Sequence, residues 1–284
     1  MTPAVGIVAE QLATPSDFLN AAGPFLMQSE VENALILGVA RDLSERDPST
    51  FSQPYFGYAR NGDQILMCAF RSLSDKVGIT RTLDPAAIPI LAAAARAECP
   101  TIREVVGPEP AIGEFARAMA SLLGRQATLR RRSRIHVLEA VRPLSRPVAG
   151  RLRLAVQSDH DCITRWVEGF LRDVNENGDP PDIAHRRIRE RKLFLWEDRV
   201  PVSMAASSGK TPNGIRVNFV YTPPELRGRG YASTCVAAMS QVLLDAGNRY
   251  CCLYTDLANP TSNKIYREIG YEPVCDAASW GFET

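Results

Sequence analysis

The sequence predicts an α/β chain, of the α+β kind with a mixed sheet, in two halves of related plan. Three observations carry this. Short apolar runs of strand character alternate with helical patterns along the whole length. Residues Arg142–Gly150, RPLSRPVAG, gather three breakers and two arginines without periodicity, which places a linker at 142–150 between units at 1–141 and 151–284. A weak repeat relates the halves: REVVGPEPAIGEFARAM and CLYTDLANPTSNKIYREIG both read strand, X-Pro, helix. Likewise Val77–Arg96 and Val217–Met239 both read strand, loop, helix. A length of 284 residues suits two domains, each able to bury a core.

In the first half, helical spacing of Ala34, Leu35, Leu37 and Leu43 predicts a helix over Glu30–Asp42, after a shorter one at Ser16–Ala22. Strands are expected at Tyr55–Arg60, at Gln64–Arg71 after an Asn61–Gly62–Asp63 turn, and at Lys76–Arg81. Pro85 opens an alanine-rich helix to Glu98, and Arg103–Val106 reads as a strand. Gly107–Pro108 leads into a helix ending near Leu123, and Gln126–Val141 reads as one long strand despite its basic start. Past the linker come a strand at Leu152–Val156, a helix at His160–Val174, the polar loop NENGDPPD and an arginine-rich helix at Ile183–Lys192. Strands at Leu193–Trp196, Val202–Ser207 and Ile215–Thr222 precede a helix at Tyr231–Ala246. Tyr250–Thr255 is a nearly continuous apolar run, as expected for a strand covered on both faces. Asn259–Pro260 opens a helix that stops at Gly270, and Tyr271–Glu283 is extended.

Bulk properties exclude several classes of function. A net charge of +1 offers no global attraction for nucleic acid or membrane. No apolar run has the length of a membrane span, and the N-terminal residues lack a basic region followed by an apolar core. Seven cysteines form an odd set without a C-x-x-C pair, and most sit in apolar runs, so reduced buried thiols in a cytoplasmic protein are expected. Arg125–Arg134, RQATLRRRSR, reads as a solvated strand edge whose charge deters edge pairing rather than as a nucleic-acid surface.

Chemistry concentrates between Asn218 and Ala232, NFVYTPPELRGRGYA. A strand runs into two prolines, then a loop with Arg227, Gly228, Arg229 and Gly230, then a helix. Glycines at the mouth of a helix leave backbone N–H groups unhindered, and the helix dipole adds partial positive charge, so the stretch forms an anion cradle. No Gly-Lys-Ser or Gly-Lys-Thr is present, which excludes a Walker loop. Ser233 stands where a dinucleotide-binding fingerprint needs its third glycine. The corresponding loop of the first half, TLDPAAIP, has neither glycine nor arginine, so that half is expected to have lost its anion site. Further on, Asn259, Pro260 and Gly270 are explained as a helix cap, first position and stop. Tyr266 lies seven residues beyond Asn259 and returns to the same helix face.

These features together resemble the GNAT superfamily of acyl-CoA-dependent N-acetyltransferases. The signature [Q/R]-x-x-G-x-[G/A] is matched by Arg227, Gly228, Arg229, Gly230, Tyr231 and Ala232. The later pattern, an Asn, a Tyr seven on and a Gly-aromatic pair four beyond, is matched by Asn259, Tyr266, Gly270 and Tyr271. The resemblance covers about residues 150–284 and implies a GNAT fold there, with a degenerate GNAT-like domain in the first half. It implies acetyl-CoA as cosubstrate and no metal. It places the diphosphate on the N–H groups from Arg227 to Ala232 and the pantetheine arm in a gap between two splayed strands. That arm would meet Val220, Tyr221 and Thr222, with Asn259 and Ser262 as further contacts.

Acetyl transfer to an amine by direct attack gives a tetrahedral intermediate. The resemblance casts the Val220 N–H as donor to its oxyanion and Tyr266 as the acid for the departing thiolate. Asn218 could order a water, and Glu168, Glu197 and Asp256 are other candidate bases among which the sequence does not choose. A covalent route through Cys251 or Cys252 is disfavoured, because both lie in a core strand. The acceptor is expected to be a small-molecule or peptide amine. Glu176, Asp179 and Asp182 in the loop Asn175–Asp182 favour a cationic one. The first half would cap the acceptor pocket or mediate homodimerisation. The alternative function is an acyl-CoA-binding regulator without efficient catalysis.

Overall fold

The computed structural model describes residues 6–46, 54–71, 75–146 and 148–283. In the first half the elements are β1 (Ile7–Gln11), α1 (Pro15–Met27), α2 (Ala34–Ser44), β2 (Tyr55–Asn61), β3 (Gln64–Arg71) and β4 (Lys76–Ile79). They continue with α3 (Ala87–Glu98), β5 (Glu104–Pro108), α4 (Ala111–Leu123) and β6 (Gln126–Leu138). The second half holds β7 (Arg151–Leu154), α5 (His160–Asp173), α6 (Pro180–Arg189), β8 (Leu193–Asp198), β9 (Val200–Ser208) and β10 (Gly214–Tyr221). It ends with α7 (Tyr231–Asp245), β11 (Tyr250–Asp256), α8 (Pro260–Ile269) and β12 (Glu272–Glu283).

All twelve strands join one mixed sheet in the order β1-β2-β3-β4-β5-β12-β6-β11-β10-β9-β8-β7. The two repeats are therefore interleaved at the centre. β12 lies between β5 and β6, while β6 lies between β12 and β11, so each half's last strand is inserted into the other half. Strand β6 is thus a central strand, and the reading of its basic start as a sheet edge is corrected. Its arginines have partners: Arg130 pairs with Glu283 at 2.9 Å, and Arg134 grips Asp276 through Nε at 2.6 Å and Nη2 at 3.0 Å. Arg131 lies 3.8 Å from both Glu176 and Asp256.

Helices α3 and α4 cover one face of the first half over Val77, Leu91, Val105, Phe115 and Met119. On the same face of the second half α7 and α8 pack over Ala205, Val217, Cys251 and Leu253. Helices α1 and α2 (over Phe56, Cys68 and Phe70) and α5 and α6 (over Leu195, Met204 and Ala206) take the opposite face.

Several boundaries differ from expectation for local reasons. Helix α1 continues through Pro24 to Met27, where a stop at Ala22 is expected. Burying Phe18, Ala22 and Leu26 along one stripe outweighs the helix-interior cost of proline, about 3 kcal/mol. Asn33 Nδ2 then donates to the Leu26 carbonyl at 3.0 Å, satisfying one of the free carbonyls at the helix end. Helix α6 begins at Pro180 rather than Ile183, because Asp179 caps it by accepting from the Asp182 N–H at 3.1 Å. The stretch 142–150, described apart from residue 147, packs on the second half: Arg142 N–H donates to the Ile269 carbonyl at 2.8 Å, and Trp196 Nε1 donates to the Ala149 carbonyl at 3.1 Å.

The halves also meet where α2 crosses the β9–β10 connection. A Cβ added at Gly38 would lie 2.4 Å from the Gly209 Cα, so the two backbones touch. Gly38→Ala is expected to lower stability by about 1–3 kcal/mol through overpacking, despite alanine's better helix propensity. A thermal melt at or above the wild-type midpoint would show that α2 does not rest on Gly209.

Candidate active site

Strands β10 and β11 run parallel and pair at only three positions, Gly214↔Tyr250, Ile215↔Cys251 and Arg216↔Cys252. Beyond them β10 continues to Tyr221 and β11 to Asp256 without further pairing between the two. The cause is a bulge. Against β9 the register runs Asn218↔Ala206 and then Tyr221↔Met204, so β10 carries one extra residue, and Phe219 adopts φ +49°. A bulge bends its strand and sharpens the local twist, which turns β10 away from β11. Phe219 is held in this left-handed conformation by Phe170, whose ring centroid lies 4.8 Å away, and by the Arg187 guanidinium 5.3 Å from its ring centre.

Gly228 and Gly230 take φ +76° and +87°, and Gly230 caps α7 without a side-chain acceptor. Among the described residues no acceptor takes the N–H groups from Gly228 to Ser233, which include those of Tyr231 and Ala232. The two loop arginines serve the loop itself. Arg227 donates to the Thr222 carbonyl at 2.9 Å and to Asp173 at 2.6 Å, and its guanidinium lies over the Tyr221 ring. Arg229 donates to the Glu225 carbonyl at 3.2 Å. Tyr231 donates from its hydroxyl to Asp198 at 2.9 Å, a contact that raises the phenol pKa. The Thr222 hydroxyl is within 2.9 Å of the Ser203 hydroxyl.

At the start of α8, Asn259 Oδ1 accepts from the Ser262 N–H at 3.0 Å. Asn263 braces the turn: its Nδ2 donates to the Asp256 carbonyl at 2.9 Å and the Asn259 carbonyl at 2.8 Å, while Oδ1 accepts from Thr255 at 2.7 Å. Sequence reading passed over Asn263, although an Asn four residues after a capping Asn is a signal for such a brace. Tyr266 is 8% exposed and sits in the α7–α8 cluster, against which Val220 also packs. Its ring meets Tyr271 edge-on at 5.7 Å. Among the described residues its hydroxyl has no hydrogen-bond partner, and burial holds the phenol pKa above the usual tyrosine range.

Asn218 donates to the Ser208 hydroxyl at 2.7 Å, and its Oδ1 is buried without a partner. The candidate bases are dispersed. Glu197 is bound by Arg151 at 2.7 Å and by Arg153, whose hydrogen bonds lower its carboxyl pKa and keep it a poor proton acceptor. Glu168 is exposed on α5, and Asp256 Oδ1 accepts from the Ala258 N–H at 2.8 Å. Burial pushes the thiols of Cys251 and Cys252 up to about 12, so both stay protonated and unreactive near neutrality. The acidic residues expected to face a cationic acceptor are engaged elsewhere. Glu176 pairs with Lys76 at 2.6 Å, Asp179 caps α6, and Asp182 lies 3.8 Å from Arg186.

The equivalent place in the first half is closed. β4 and β5 also pair at three positions, from Lys76↔Glu104 to Gly78↔Val106, but beyond them Ile79 fills the space, and a Cβ at Gly107 would lie 2.4 Å from its side chain. The cavity left beside Gly78, Gly107, Phe70 and Tyr254 measures about 20 Å³, room for one water. Before α3, Asp84 Oδ1 accepts from the Ala86 N–H at 2.9 Å, so a carboxylate of the chain stands where an anion would bind.

Comparison with known proteins gives the same architecture. Residues 198–280 match the family described as FR47-like protein. No curated protein matches the sequence. A Drosophila protein of solved structure superposes with TM-score 0.68 at 12% identity, covering 98% of this chain and 99% of its own. A GCN5-related N-acetyltransferase from Sphaerobacter thermophilus gives 0.63 at 14% identity, covering 96% and 94%. A tandem GNAT protein from the clavulanic acid biosynthesis pathway gives 0.55 at 12%, covering 97% and 98%. At these identities the likeness is one of fold. The chain is a GNAT-fold protein in tandem form, with an FR47-like segment in its C-terminal half. Among the described residues no helix is long and apolar enough to cross a membrane.

Proposed function

We propose that the protein is an acetyl-CoA-dependent N-acetyltransferase whose second half, 151–284, carries the site and whose first half, 1–141, does not bind CoA. The observation that carries this reading is the splay of β10 from β11 beside a helix α7 whose first N–H groups lack acceptors. A diphosphate meets those amides, and an extended pantetheine arm finds unpaired backbone along Asn218–Tyr221. Asn259 and Ser262 stand at the opposite lip.

In the reaction the amine nitrogen bonds to the acetyl carbon and the carbon–sulfur bond breaks. The Val220 N–H donates to the carbonyl oxygen while it bears negative charge. The thiolate leaves with the proton of Tyr266, which is restored from solvent, and the amine gives up its own proton to water ordered near Asn218. Tyr266 suits this task because burial keeps it protonated.

Acetyl-CoA is expected to raise the melting temperature of the purified protein. Gly228→Asp places a carboxylate in the cradle where a Cβ meets nothing within 4 Å, at a positive φ that strains any side chain but that Asp adopts more readily than most. That variant is expected to raise KM for acetyl-CoA by about tenfold or more while remaining folded. A wild-type protein with no shift in acetyl-CoA would remove the reading. One observation favours a second function, a CoA-binding regulator: none of the candidate carboxylates is set beside the bulge as a base. Tight CoA binding with thiol release at the uncatalysed rate, across a broad amine panel, would select it.

A further inference from the structure

Two guanidinium groups lie together on the face of β10 that looks toward α6. Arg187 of α6 donates from Nη1 to the Ser207 carbonyl at 3.1 Å, and Arg216 of β10 donates from Nη2 to the Ser208 hydroxyl at 3.3 Å. Ser207 and Ser208 are consecutive on β9, and Asn218 reaches the same Ser208 hydroxyl, which draws the three side chains to one spot. Among the described residues neither arginine has a carboxylate within 4.0 Å. Glu190, close in sequence to Arg187, is taken by Lys192 at 3.2 Å. Arg187 Nε, Arg216 Nη1 and Asn218 Oδ1 are all buried and unpartnered.

Both arginines are half-buried, and two like charges side by side with no carboxylate at hand repel one another. Burial, first of all, then Arg186 and in part Arg216, lower the Arg187 pKa to about 10; Glu190 and Asp42 oppose this. An anion between the two guanidinium groups would offset that repulsion. A ligand that fits presents a carboxylate to the half-exposed guanidinium groups. The spot adjoins the bulge, since Arg187 lies over Phe219, the residue before Val220. From the first half, α2 closes over Gly209, and a Cβ on Gly209 would meet the Arg216 guanidinium at 3.5 Å.

We propose that Arg187 and Arg216 form a carboxylate-binding subsite of the acceptor pocket, so that the amine acetylated here belongs to a small amino acid-like molecule. This rests on the acetyltransferase reading for the transfer step, in which the acceptor nitrogen gains the acetyl group and loses a proton to water. It does not rest on that reading for the binding of a carboxylate. The cationic acceptor expected from Glu176, Asp179 and Asp182 gives way to one bearing a negative group.

The test compares free amino acids with their α-amides as acceptors, following thiol release from acetyl-CoA. Acids are expected to exceed their amides in kcat/KM by about 100-fold, chiefly through KM. Arg187→Gln and Arg216→Gln should erase that preference, Arg216→Lys should restore part of it, and Arg189→Gln, on the exposed side of α6, should leave it intact. Amides that match or exceed the acids in the wild-type protein would overturn the proposal without any variant. Where no acceptor turns over, CoA-loaded protein is titrated calorimetrically with the same amino acids. Binding that is lost in Arg216→Gln supports the subsite, and no binding of any carboxylate overturns it. Carboxylate binding by a protein that ignores acetyl-CoA would defeat the acetyltransferase reading alone.

Discussion

Tyr266→Phe is expected to lower kcat by about a hundred- to ten-thousand-fold while leaving KM for acetyl-CoA and the melting temperature close to wild type. The substitution removes one oxygen and keeps the ring, and the ring is what packs: it meets Tyr271 edge-on and belongs to the α7–α8 core. The lost hydroxyl has no hydrogen-bond partner among the described residues, so no protein contact goes with it. The pH dependence follows from the sign of its shift. Burial raises the Tyr266 pKa above the usual value of about 10, so the acid form persists to higher pH and kcat should not fall through this group at or below pH 10. Full activity in the Phe variant, or an alkaline limb near pH 8 that the variant abolishes, would take the acid role away from Tyr266.

Much of the second half was legible because its signals are local. Glycine at φ +76° and +87°, a capping Asn followed by Pro, and a Gly stop at 270 each follow from backbone chemistry over a few residues. The strands of the first half were equally legible from apolar runs and turns, and β1 was missed because its five residues, three half-buried and two exposed, carry no clear alternation. What could not be read is non-local. Phe219 takes a left-handed φ that no feature of NFVY announces, and it does so because Phe170 and Arg187 hold it there. Arg227 and Arg229 sit in a glycine loop and invite a phosphate, but their guanidinium groups are spent on the loop's own carbonyls and on Asp173. Arg216 could have been noticed as a charge within an apolar strand. That its neighbour would be a second arginine rather than a carboxylate depends on α6 docking against β9. The basic start of β6 misled for a related reason, since the carboxylates that pair it, Asp276 and Glu283, lie well over a hundred residues away.

Neither 1–141 nor 151–284 is expected to fold alone, although each contains a complete repeat, and the two expressed together should reassemble. The reason lies in the strand order. Without β12 the first half loses every partner along the β5 edge, at Glu104 to Pro108, and every partner of β6. It also loses Ala278 and Phe282, which the second half contributes to the core beneath α3 and α4. Without β6 the second half loses the pairing of β11 from Cys251 to Asp256 together with Leu138 of its own core. Unpaired backbone at a sheet centre costs far more than the few kcal/mol that separate folded from unfolded domains, and the exposed edges are templates for aggregation. Cutting within 142–150 in the intact chain should be tolerated by contrast, because the pairings of β6 and β12 hold the pieces together. Analytical ultracentrifugation and thermal melts of each half and of the mixture decide the matter. A monomeric half with a cooperative melt would mean that its end strand can pair at home, β5 directly with β6 or β11 directly with β12. The exchange would then be a choice of partner rather than a requirement of the fold. The consequence for the proposed function is direct: β11, one wall of the splay, is held against β6, so the proposed CoA site of the second half depends on a strand from the first.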